Sequence, residues 1–363
     1  MNTSKGMTII GLMSGTSLDG LDMACCKLGN GVGGEKLDFR LLVAETVPYP
    51  EAWERRLSSL DKASAYDYAL ADVELGHYMG RCVKQFVSRH GLSSVDAIAS
   101  HGHTVFHQPH IGLTTQIGCG DAIAAETGLP VVFNFRRLDV ALGGQGAPLG
   151  PVGDRLLFGH CDGCLNLGGF ANISYERDGR REAYDVSPCN MLLNRLAQQA
   201  GRPFDDGGLM ARQGTIDGEL LCQLDALPYY RMPLPKSLGK EWFESEVWPL
   251  LLGKGRAVDD LLSTATEHVA RQVAASIRGG CIQRLLVTGG GAHNRFLIER
   301  IEALAPTCHV EVPEKMIVDY KEAIVFALLG YLRLTGKANC LRSVTGARVD
   351  CSGGDIAGSV SCR

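Results

Sequence analysis

The sequence lacks a continuous apolar run of the roughly 18 residues that a membrane-spanning helix requires, so no membrane span is expected. It also lacks a large excess of charge of one sign, because 36 lysines and arginines stand against 40 aspartates and glutamates. This near balance argues against a broad polyanion-binding surface, and nucleic acid is not an expected partner. Residues 1–10 include one lysine and no apolar segment of signal-peptide length, which favours a cytoplasmic protein.

The sequence also lacks the second ligand pair that would complete a zinc site around Cys161 and Cys164, which form a lone C-x-x-C. Cysteine itself is abundant, with 13 residues, but the number is odd and the spacing is scattered. Disulfide scaffolds of secreted proteins are usually short and rich in loops, which this chain is not. We therefore expect reduced cysteines that mostly serve as small, buried apolar side chains.

Glycine, with 45 residues, is concentrated at junctions where an apolar strand runs into a turn. Apolar runs bounded by turn residues predict strands at residues 8–12, 21–28, 41–47, 95–100, 131–135, 164–167, 173–175 and 284–288. Helical patterns are predicted at residues 66–90, 121–127, 296–303 and 321–334.

A pattern of strand, polar glycine turn and returning strand occurs near residue 15 and again near residue 169. Because strands otherwise alternate with helices, the sequence predicts mixed sheets covered by helices. The fold class is therefore α/β, with two similar lobes of mixed β-sheet flanked by helices and a central cleft.

The segment at 143–148, Gly-Gly-Gln-Gly-Ala-Pro, breaks any regular element and indicates a lobe boundary. We assign residues 1–135, joined by the C-terminal segment 338–363, to the first lobe and residues 136–337 to the second. This glycine-rich connection also predicts that the lobes close on their ligands and exclude water.

The turn at residues 14–20 combines glycine, serine and threonine after a strand. Glycine lets the backbone approach a ligand closely, and successive N–H groups with hydroxyls form a concave site for phosphate. The segment does not match G-x-x-x-x-G-K-[ST], so it is not a P-loop. An ordinary tight hairpin is the alternative interpretation. Similar turns at residues 168–172 and 289–291 favour two hairpins that hold a polyphosphate and a glycine-rich helix start that receives the nucleoside.

Carboxylates lie in or near these turns. Asp19 and Asp22 are candidate Mg²⁺ partners, because Mg²⁺ takes one or two carboxylates and keeps several waters. A turn-stabilising role is the alternative for both. Asp185 stands where a strand ends, just before Pro188 opens a helix, and is placed to accept a proton from a nucleophile. Its alternative role is that of a helix N-cap.

Arg136 and Arg137, beside Asp139, are candidates to neutralise a substrate carboxylate or phosphate, with a surface ion-pair cluster as the alternative. Four histidines follow a strand at irregular spacing and without an acidic residue among them. We expect them to be loop residues that line a cleft and not a metal site: His101, His103, His107 and His110.

At these segments the sequence resembles the anhydro-N-acetylmuramic acid kinase family. The opening segment GLMSGTSLDG, residues 11–20, is similar to the first signature of that family. The resemblance continues in order over nearly the whole chain, through residues 100–104, 116–118, 139–149, 165–174, 235–237, 289–294, 322–323 and 343–348.

The resemblance implies a two-domain fold of the sugar kinase, heat-shock ATPase and actin superfamily, an actin-like ATPase or ribonuclease H-like fold that is usually a homodimer. It implies ATP and Mg²⁺ as cofactors and an anhydro amino sugar as substrate. The implied reaction opens the 1,6-anhydro bridge of anhydro-N-acetylmuramic acid with water and phosphorylates the freed 6-oxygen. The products are N-acetylmuramic acid 6-phosphate and ADP, in peptidoglycan recycling.

The resemblance also places functional residues. The catalytic base falls on Asp185, which would activate the water that attacks the anomeric carbon. Asp19 would hold Mg²⁺ through water. The ATP-binding residues would be Gly15, Thr16, Ser17, Leu18, Asp19, Gly20, Leu21, Asp22, Gly168, Gly169, Asn172, Gly289, Gly290, Gly291 and Asn294. The substrate-binding residues would be Ser14, Asn134, Arg136, Asn190 and Glu322.

The sequence departs from the family pattern near the implied sugar site. Asn134 stands where the family has the aspartate of D-F-R, which removes a charge there. Around Asp185 the D-T-G-P-G-N pattern is changed at Val186, Ser187 and Cys189, and Asn194 replaces another aspartate.

Two other functions are open to the same sequence. One is a kinase of the same superfamily that acts on another amino sugar or on an acyl acid. The other is a nucleotide-dependent switch without a small-molecule acceptor, for which we would expect an additional peptide-binding or regulatory segment.

Overall fold

The computed structural model describes residues 6–15, 18–31, 37–252 and 255–358. The described residues form twelve strands. They are β1 (Met7–Ser14), β2 (Gly20–Asn30), β3 (Leu37–Pro48), β4 (Ala97–Gln108), β5 (Leu113–Ile117), β6 (Val131–Phe133), β7 (Gly163–Leu167), β8 (Phe170–Arg177), β9 (Arg180–Pro188), β10 (Arg284–Thr288), β11 (His309–Glu311) and β12 (Asp355–Ala357).

The helices of the described residues are α1 (Glu51–Ser58), α2 (Ala65–Arg89), α3 (Gly120–Thr127), α4 (Arg137–Ala141), α5 (Gly150–Leu157), α6 (Asn190–Gln199), α7 (Leu209–Gln213), α8 (Gly218–Asp225), α9 (Lys240–Trp242), α10 (Trp248–Leu251), α11 (Val258–Gly279), α12 (Arg295–Leu304), α13 (Lys315–Leu334) and α14 (Arg342–Thr345). The predicted helices at 66–90, 121–127 and 296–303 are confirmed, and the one predicted at 321–334 begins earlier. None of the described helices combines the length and apolar character needed to cross a bilayer.

The chain divides into two units, Met1–Leu157 with Tyr320–Arg363, and Phe158–Asp319. In the first unit the strand order is β3-β2-β1-β4-β6-β12, with β5 paired to β4. In the second it is β9-β8-β7-β10-β11.

The two sheets repeat one arrangement. In the first, β1 is antiparallel to β2 and β2 to β3, whereas β1, β4 and β6 are parallel. In the second, β7 is antiparallel to β8 and β8 to β9, whereas β7, β10 and β11 are parallel. The predicted α/β class with two similar lobes of mixed sheet flanked by helices is therefore confirmed.

The core of the first unit lies on both faces of its sheet. Alternation along the strands sends Cys25 to one face and Cys26 to the other, and both are fully buried. One face packs against α13, and the other against α2. The buried pair agrees with the expectation that cysteines act as small apolar side chains, whereas Cys222 and Cys281 are exposed.

The unit boundaries differ from the predicted lobe boundaries at 135/136 and 337/338. Leu149, just before α5, and Val152, within α5, belong to the core of the first unit. Ala323 and Phe326 of α13 belong to the same core. Because these apolar side chains pack on the first sheet, α4, α5 and most of α13 fold with that unit. The divisions fall at 157/158 and 319/320.

Candidate active site

The turn between β1 and β2 is the hairpin predicted from the sequence. Ser14 at the end of β1 pairs with Leu21 in β2. The backbone N–H of Leu18 donates to the carbonyl oxygen of Gly15 at 3.3 Å. The Leu21 side chain is fully buried in the core, so this residue can offer a ligand only its backbone.

Gly20 is required at the end of this turn by the close approach of a neighbouring strand. A Cβ at Gly20 would lie 2.5 Å from the carbonyl oxygen of Val47 in β3. The two hydroxyl residues predicted to bind ATP in this turn, Thr16 and Ser17, lie outside the described residues.

The two acidic residues of the hairpin have different surroundings. Asp22 is half-buried, and its Oδ1 accepts a hydrogen bond of 2.6 Å from the Thr46 hydroxyl, which ties β2 to β3. Asp19 is exposed on the turn itself. A single exposed carboxylate beside backbone N–H groups fits Mg²⁺ that retains most of its water shell.

Ser14 is held in one orientation by two side chains. The Tyr49 hydroxyl donates to Ser14 Oγ at 2.8 Å, and Ser14 Oγ lies 3.0 Å from His103 Nδ1. Because Ser14 Oγ accepts from Tyr49, its own proton is directed to His103, which must be neutral to accept it. Burial lowers the pKa of His103, in agreement with this assignment.

Arg136 is fixed by a histidine and a loop carbonyl. Its Nε and Nη2 lie 3.1 and 3.0 Å from His101 Nε2, and its Nη1 donates to the Gly146 carbonyl oxygen at 2.7 Å. The attraction between Arg136 and Glu322 opposes the lowering of the Arg136 pKa by burial. Burial raises the pKa of the Glu322 carboxyl group, and the Arg136 charge opposes this. The Arg136 guanidinium keeps hydrogens available for an anionic or oxygen-rich ligand.

The prediction that the four histidines lie in a loop was wrong for three of them. His101, His103 and His107 lie within β4, because β4 continues to Gln108 through its pairing with β5. His110 lies in a short 3₁₀ turn. Among the described residues, no group of three metal-ligand side chains includes any of these histidines.

His101 is a neutral histidine whose tautomer follows from its partners. Arg136 can only donate, so His101 Nε2 is the acceptor, and Nδ1 carries the proton that is donated to the Gly102 carbonyl oxygen at 2.9 Å. Burial and the Arg136 charge hold the pKa of His101 well below its usual range.

This environment predicts an acid-sensitive contribution to stability. Because the folded state keeps His101 neutral whereas the unfolded chain protonates it below about pH 6.5, stability is lost as pH falls through that value. We expect His101→Gln to reduce the loss by roughly 1.4 kcal/mol per pH unit below pH 6. Urea unfolding at pH 7.5 and 5.5 measures the difference. The matched control is the same change at the exposed His110.

Asn134 has a carboxylate partner. It adopts a left-handed conformation with φ of 58°, which asparagine tolerates better than most residues. Its side-chain amide donates to Asp355 Oδ2 in β12 at 2.8 Å. A carboxylate therefore lies at hydrogen-bond distance from the Asn134 amide.

We expect Asn134→Asp to destabilise the first unit. Two carboxylates would then meet at hydrogen-bond distance, at a cost of about 1–3 kcal/mol near pH 7. The loss of stability should be smaller at pH 5. There, one of the two carboxyl groups would be protonated and would donate a hydrogen bond to the other. Urea unfolding of Asn134→Asp measures this. The exchange variant Asn134→Asp/Asp355→Asn restores a donor and an acceptor and should recover most of the stability.

In the second unit, the Gly168–Gly169 turn is bonded to the start of α6. The backbone N–H of Asn190 donates to the Gly168 carbonyl oxygen at 3.0 Å, and that of Cys189 donates to Gly169 at 2.8 Å. The Asn190 side-chain amide donates to the Leu167 carbonyl oxygen at 3.0 Å. These contacts fix the turn and place Asn190 beside it.

The turn after β10 approaches β7 closely and needs glycine. Gly289 has φ of 81°, and a Cβ there would lie 2.5 Å from Asn166 Oδ1. A Cβ on Gly291 would lie 2.7 Å from the Leu167 side chain and 3.1 Å from Asn190 Oδ1. The structure therefore brings the second and third predicted glycine turns together at Asn190.

A cavity of about 1220 Å³ in the second unit opens beside these turns. Its wall includes the predicted ligand residues Asn190, Gly290 and Asn294, and also Asn194. Apolar side chains form another part of the wall, and three of them, Phe204, Leu209 and Val312, are exposed. The fourth is Ile298. A cavity whose wall combines these apolar side chains with asparagines and charged side chains, next to backbone N–H groups of a glycine turn, suits a nucleoside with a phosphate chain.

Two predicted ATP ligands also have structural roles. Asn294 is the N-cap of α12, because its Oδ1 accepts from the Leu297 N–H at 3.0 Å. Asn172 pairs with Asn166 of β7 and with Asp185 of β9 in the sheet. Asn172 therefore places the second glycine turn and Asp185 on neighbouring strands.

Asp185 lies within β9 and is not a helix N-cap; Cys189 occupies that position of α6. Its Oδ2 accepts the Leu238 N–H at 2.9 Å, and its carbonyl oxygen accepts the Tyr229 hydroxyl at 2.5 Å. Burial raises the pKa of Asp185, and the Leu238 N–H partly offsets this. Among the described residues no hydrogen bond reaches Oδ1, so this oxygen is available to a water.

Sequence reasoning missed the contacts that hold these groups in place. His101 and Tyr49 orient Arg136 and Ser14, and Tyr229 and Leu238 fix Asp185. Lys236 lies in the segment 235–237, which resembles the family but had no predicted role. Its Nζ donates to the Tyr229 carbonyl oxygen at 3.3 Å. No spacing signal connects these residues to their partners, because each contact joins distant parts of the chain.

The repeated sheet, with a glycine turn in the first hairpin of each unit, defines a duplicated α/β protein of the ribonuclease H-like ATPase type. The anhydro-N-acetylmuramic acid kinase family model matches residues 7–358. The anhydro-N-acetylmuramic acid kinase of Synechococcus elongatus is 36% identical, over 98% of this chain and 100% of the relative. Those of Gloeobacter violaceus and Vibrio cholerae are each 37% identical, over 93% of this chain and 95% of the relative. The chain belongs to the anhydro-N-acetylmuramic acid kinase family.

Proposed function

We propose that this protein is an ATP-dependent kinase that opens 1,6-anhydro-N-acetylmuramic acid with water and phosphorylates its 6-oxygen. The products are N-acetylmuramic acid 6-phosphate and ADP, and the reaction belongs to peptidoglycan recycling. The observation that carries the proposal, beside family membership, is Asp185: a carboxylate with a raised pKa, one oxygen fixed by Leu238, in the strand that pairs with the glycine hairpin.

ATP would bind through three glycine turns. The cavity of the second unit would receive the nucleoside, with Gly290 and Asn190 beside the phosphate chain. The hairpin of the first unit would supply backbone N–H groups from Gly15 to Asp22. Mg²⁺, when bound, neutralises phosphate charge, and Asp19 would hold it through water.

Asp185 would act as the general base of the coupled reaction. Its free oxygen would accept a proton from a water as that water attacks the anomeric carbon. The bond between that carbon and the bridging oxygen breaks, and the oxygen takes the γ-phosphoryl group of ATP. Because the leaving oxygen is also the phosphoryl acceptor, no separate acid is needed to protonate it. A base with a raised pKa is stronger than an ordinary aspartate.

The substrate-side residues would be Ser14, Asn134, Arg136, Asn190 and Glu322. Arg136 is the cation of this set, and its fixed orientation suits recognition of a carboxylate or phosphate oxygen. The Ser14 hydroxyl donates its hydrogen bond to His103, so its oxygen would accept a hydrogen bond from a sugar hydroxyl. A homodimer in the cytoplasm is the assembly and location that we propose from the resemblance alone, and sedimentation of the purified protein tests the dimer.

Product analysis tests this function. The enzyme is incubated with ATP, Mg²⁺ and 1,6-anhydro-N-acetylmuramic acid, and in parallel with N-acetylmuramic acid or N-acetylglucosamine. We expect a product from the anhydro sugar whose mass exceeds that of the substrate by one water and one phosphoryl group, with equimolar ADP. Phosphorylation of an ordinary amino sugar without reaction of the anhydro sugar would favour another kinase of the superfamily. ATP binding without any phosphorylated product would favour a nucleotide-dependent switch.

A further inference from the structure

Two cysteines of the first unit face each other outside the candidate active site. Cys340 and Cys351 form an isolated antiparallel bridge, in which each backbone N–H donates to the other carbonyl oxygen, at 3.0 and 3.1 Å. The two Sγ atoms and a carboxylate oxygen of Asp139 all lie within 4.8 Å of one another. Directly opposite residues of such a pair have Cα atoms about 5.5 Å apart, which is within the range that a disulfide spans.

We propose that Cys340 and Cys351 are a reversible thiol pair that closes to an intramolecular disulfide. Both residues are buried, at 1% and 7% relative exposure, and Cys351 is therefore the more accessible of the two. In a reducing compartment the pair is a dithiol, and it closes when a low-molecular-weight disulfide becomes abundant.

The exchange has two steps. The Cys351 thiolate attacks one sulfur of the small disulfide and releases one small thiol. The Cys340 thiolate then attacks the Cys351 sulfur and releases the second. The protein loses two hydrogens and forms one S–S bond, and the external disulfide is reduced to two thiols. The Cys340 S–H donates to Cys351 and lowers the pKa of Cys351, which suits it to the first attack.

The segment closed by this bond supports the substrate-side arginine. The Thr345 hydroxyl, between the two cysteines, donates to Asp139 Oδ1 at 2.7 Å, and Asp139 Oδ2 accepts the Gly146 N–H at 2.8 Å. The Gly146 carbonyl oxygen in turn accepts from Arg136. A bond at the base of this segment would restrain it in its packed position.

A metal site is the competing use of the same atoms. Cys340, Cys351 and Asp139 give three ligands of mixed sulfur and oxygen type, which zinc accepts. Both carboxylate oxygens of Asp139 already accept hydrogen bonds, and the cluster offers three donors where a structural zinc site has four. The disulfide needs only the two sulfurs, and we therefore favour it.

The test uses the full chain with the exposed Cys222 and Cys281, and also Cys362, changed to serine. Trypsin releases Cys340 in residues 338–342 and Cys351 in residues 349–363, so removal of Cys362 makes the linked peptide specific. After treatment with oxidised glutathione, we expect these two peptides to be linked, and dithiothreitol to separate them. We also expect the thermal midpoint to rise by roughly 5 °C, because a short loop is closed.

Cys340→Ser and Cys351→Ser should each abolish the linked peptide and the shift in midpoint. Cys82→Ser, which removes another buried cysteine of the same unit, should keep both. Full alkylation of Cys340 and Cys351 after oxidation and unfolding would overturn the proposal. One equivalent of tightly bound zinc that is lost in Cys340→Ser would also overturn it, and would assign the cluster to a metal.

Discussion

Asp185→Asn is expected to lower kcat by about 10²- to 10⁴-fold, the range that a general base contributes, with ATP affinity unchanged within about twofold. The asparagine still offers an oxygen to the Leu238 N–H, so the position of the side chain is preserved. The amide cannot accept the proton of the attacking water. Steady-state kinetics with the anhydro sugar and equilibrium binding of ATP measure the two effects separately.

Thermal unfolding of Asp185→Asn distinguishes a loss of catalysis from a loss of folding. Burial disfavours the charged carboxylate of Asp185, so the neutral asparagine should unfold at the same temperature as the parent or at a higher one. Asp178→Asn is the matched control, because it makes the same chemical change at an exposed turn between β8 and β9. As the pH is lowered, wild-type activity should begin to fall at a higher pH than an ordinary aspartate would cause. The reason is that the raised pKa lets Asp185 take up a proton at that higher pH. Near-normal kcat in Asp185→Asn would contradict its role as base.

Gly11→Ala is expected to destabilise the first unit by about 3 kcal/mol or more. A Cβ at Gly11 would lie 1.9 Å from the Ala323 carbonyl oxygen and 2.7 Å from the Ala327 nitrogen. Both are backbone atoms of α13, which cannot turn aside as a side chain can. Because β1 carries Ser14 and the glycine hairpin, displacement of β1 from α13 would also reduce ATP binding.

Thermal unfolding measures this change, and we expect the midpoint to fall by roughly 10 °C. Gly150→Ala is the matched control in the same unit, because a Cβ there meets no atom within 4 Å. Equal stability of Gly11→Ala and the parent would mean that α13 does not contact β1 as described.

The strands and turns were predictable wherever one short segment of the sequence contains both the apolar runs and the turn residues. The first hairpin follows from two apolar runs around a glycine turn, and the same pattern near residue 169 indicated the repeat of the sheet. The strand β5 and the edge strands β11 and β12 were missed, and β9 was anticipated only as the strand that ends near Asp185. β11 and β12 are three residues each, and β12 pairs with β6, which lies far away in the sequence.

The sequence predicts the charged residues of the candidate site but not the residues that orient them. Asp185 and Arg136 were identified, the first from its place near a strand end and both through the resemblance. The contacts that orient them join residues 53 and 35 positions apart, between Asp185 and Leu238 and between Arg136 and His101. Polar residues usually end a strand pattern, so the buried histidines of β4 were placed in a loop. Pairing with β5 extends the strand, and this is a tertiary effect.

The most direct measurement of the coupled reaction is the position of oxygen-18 in the product. The enzyme, ATP, Mg²⁺ and the anhydro sugar react briefly in labelled water, and mass spectrometry locates the label. Unlabelled N-acetylmuramic acid 6-phosphate in the same water corrects for exchange at the anomeric centre. The account predicts one label at the anomeric hydroxyl and none in the phosphate or at the 6-oxygen, with about a hundredfold less product or lower still from Asp185→Asn in the same time. Label at the 6-oxygen or in the phosphoryl group would contradict attack of water on the anomeric carbon.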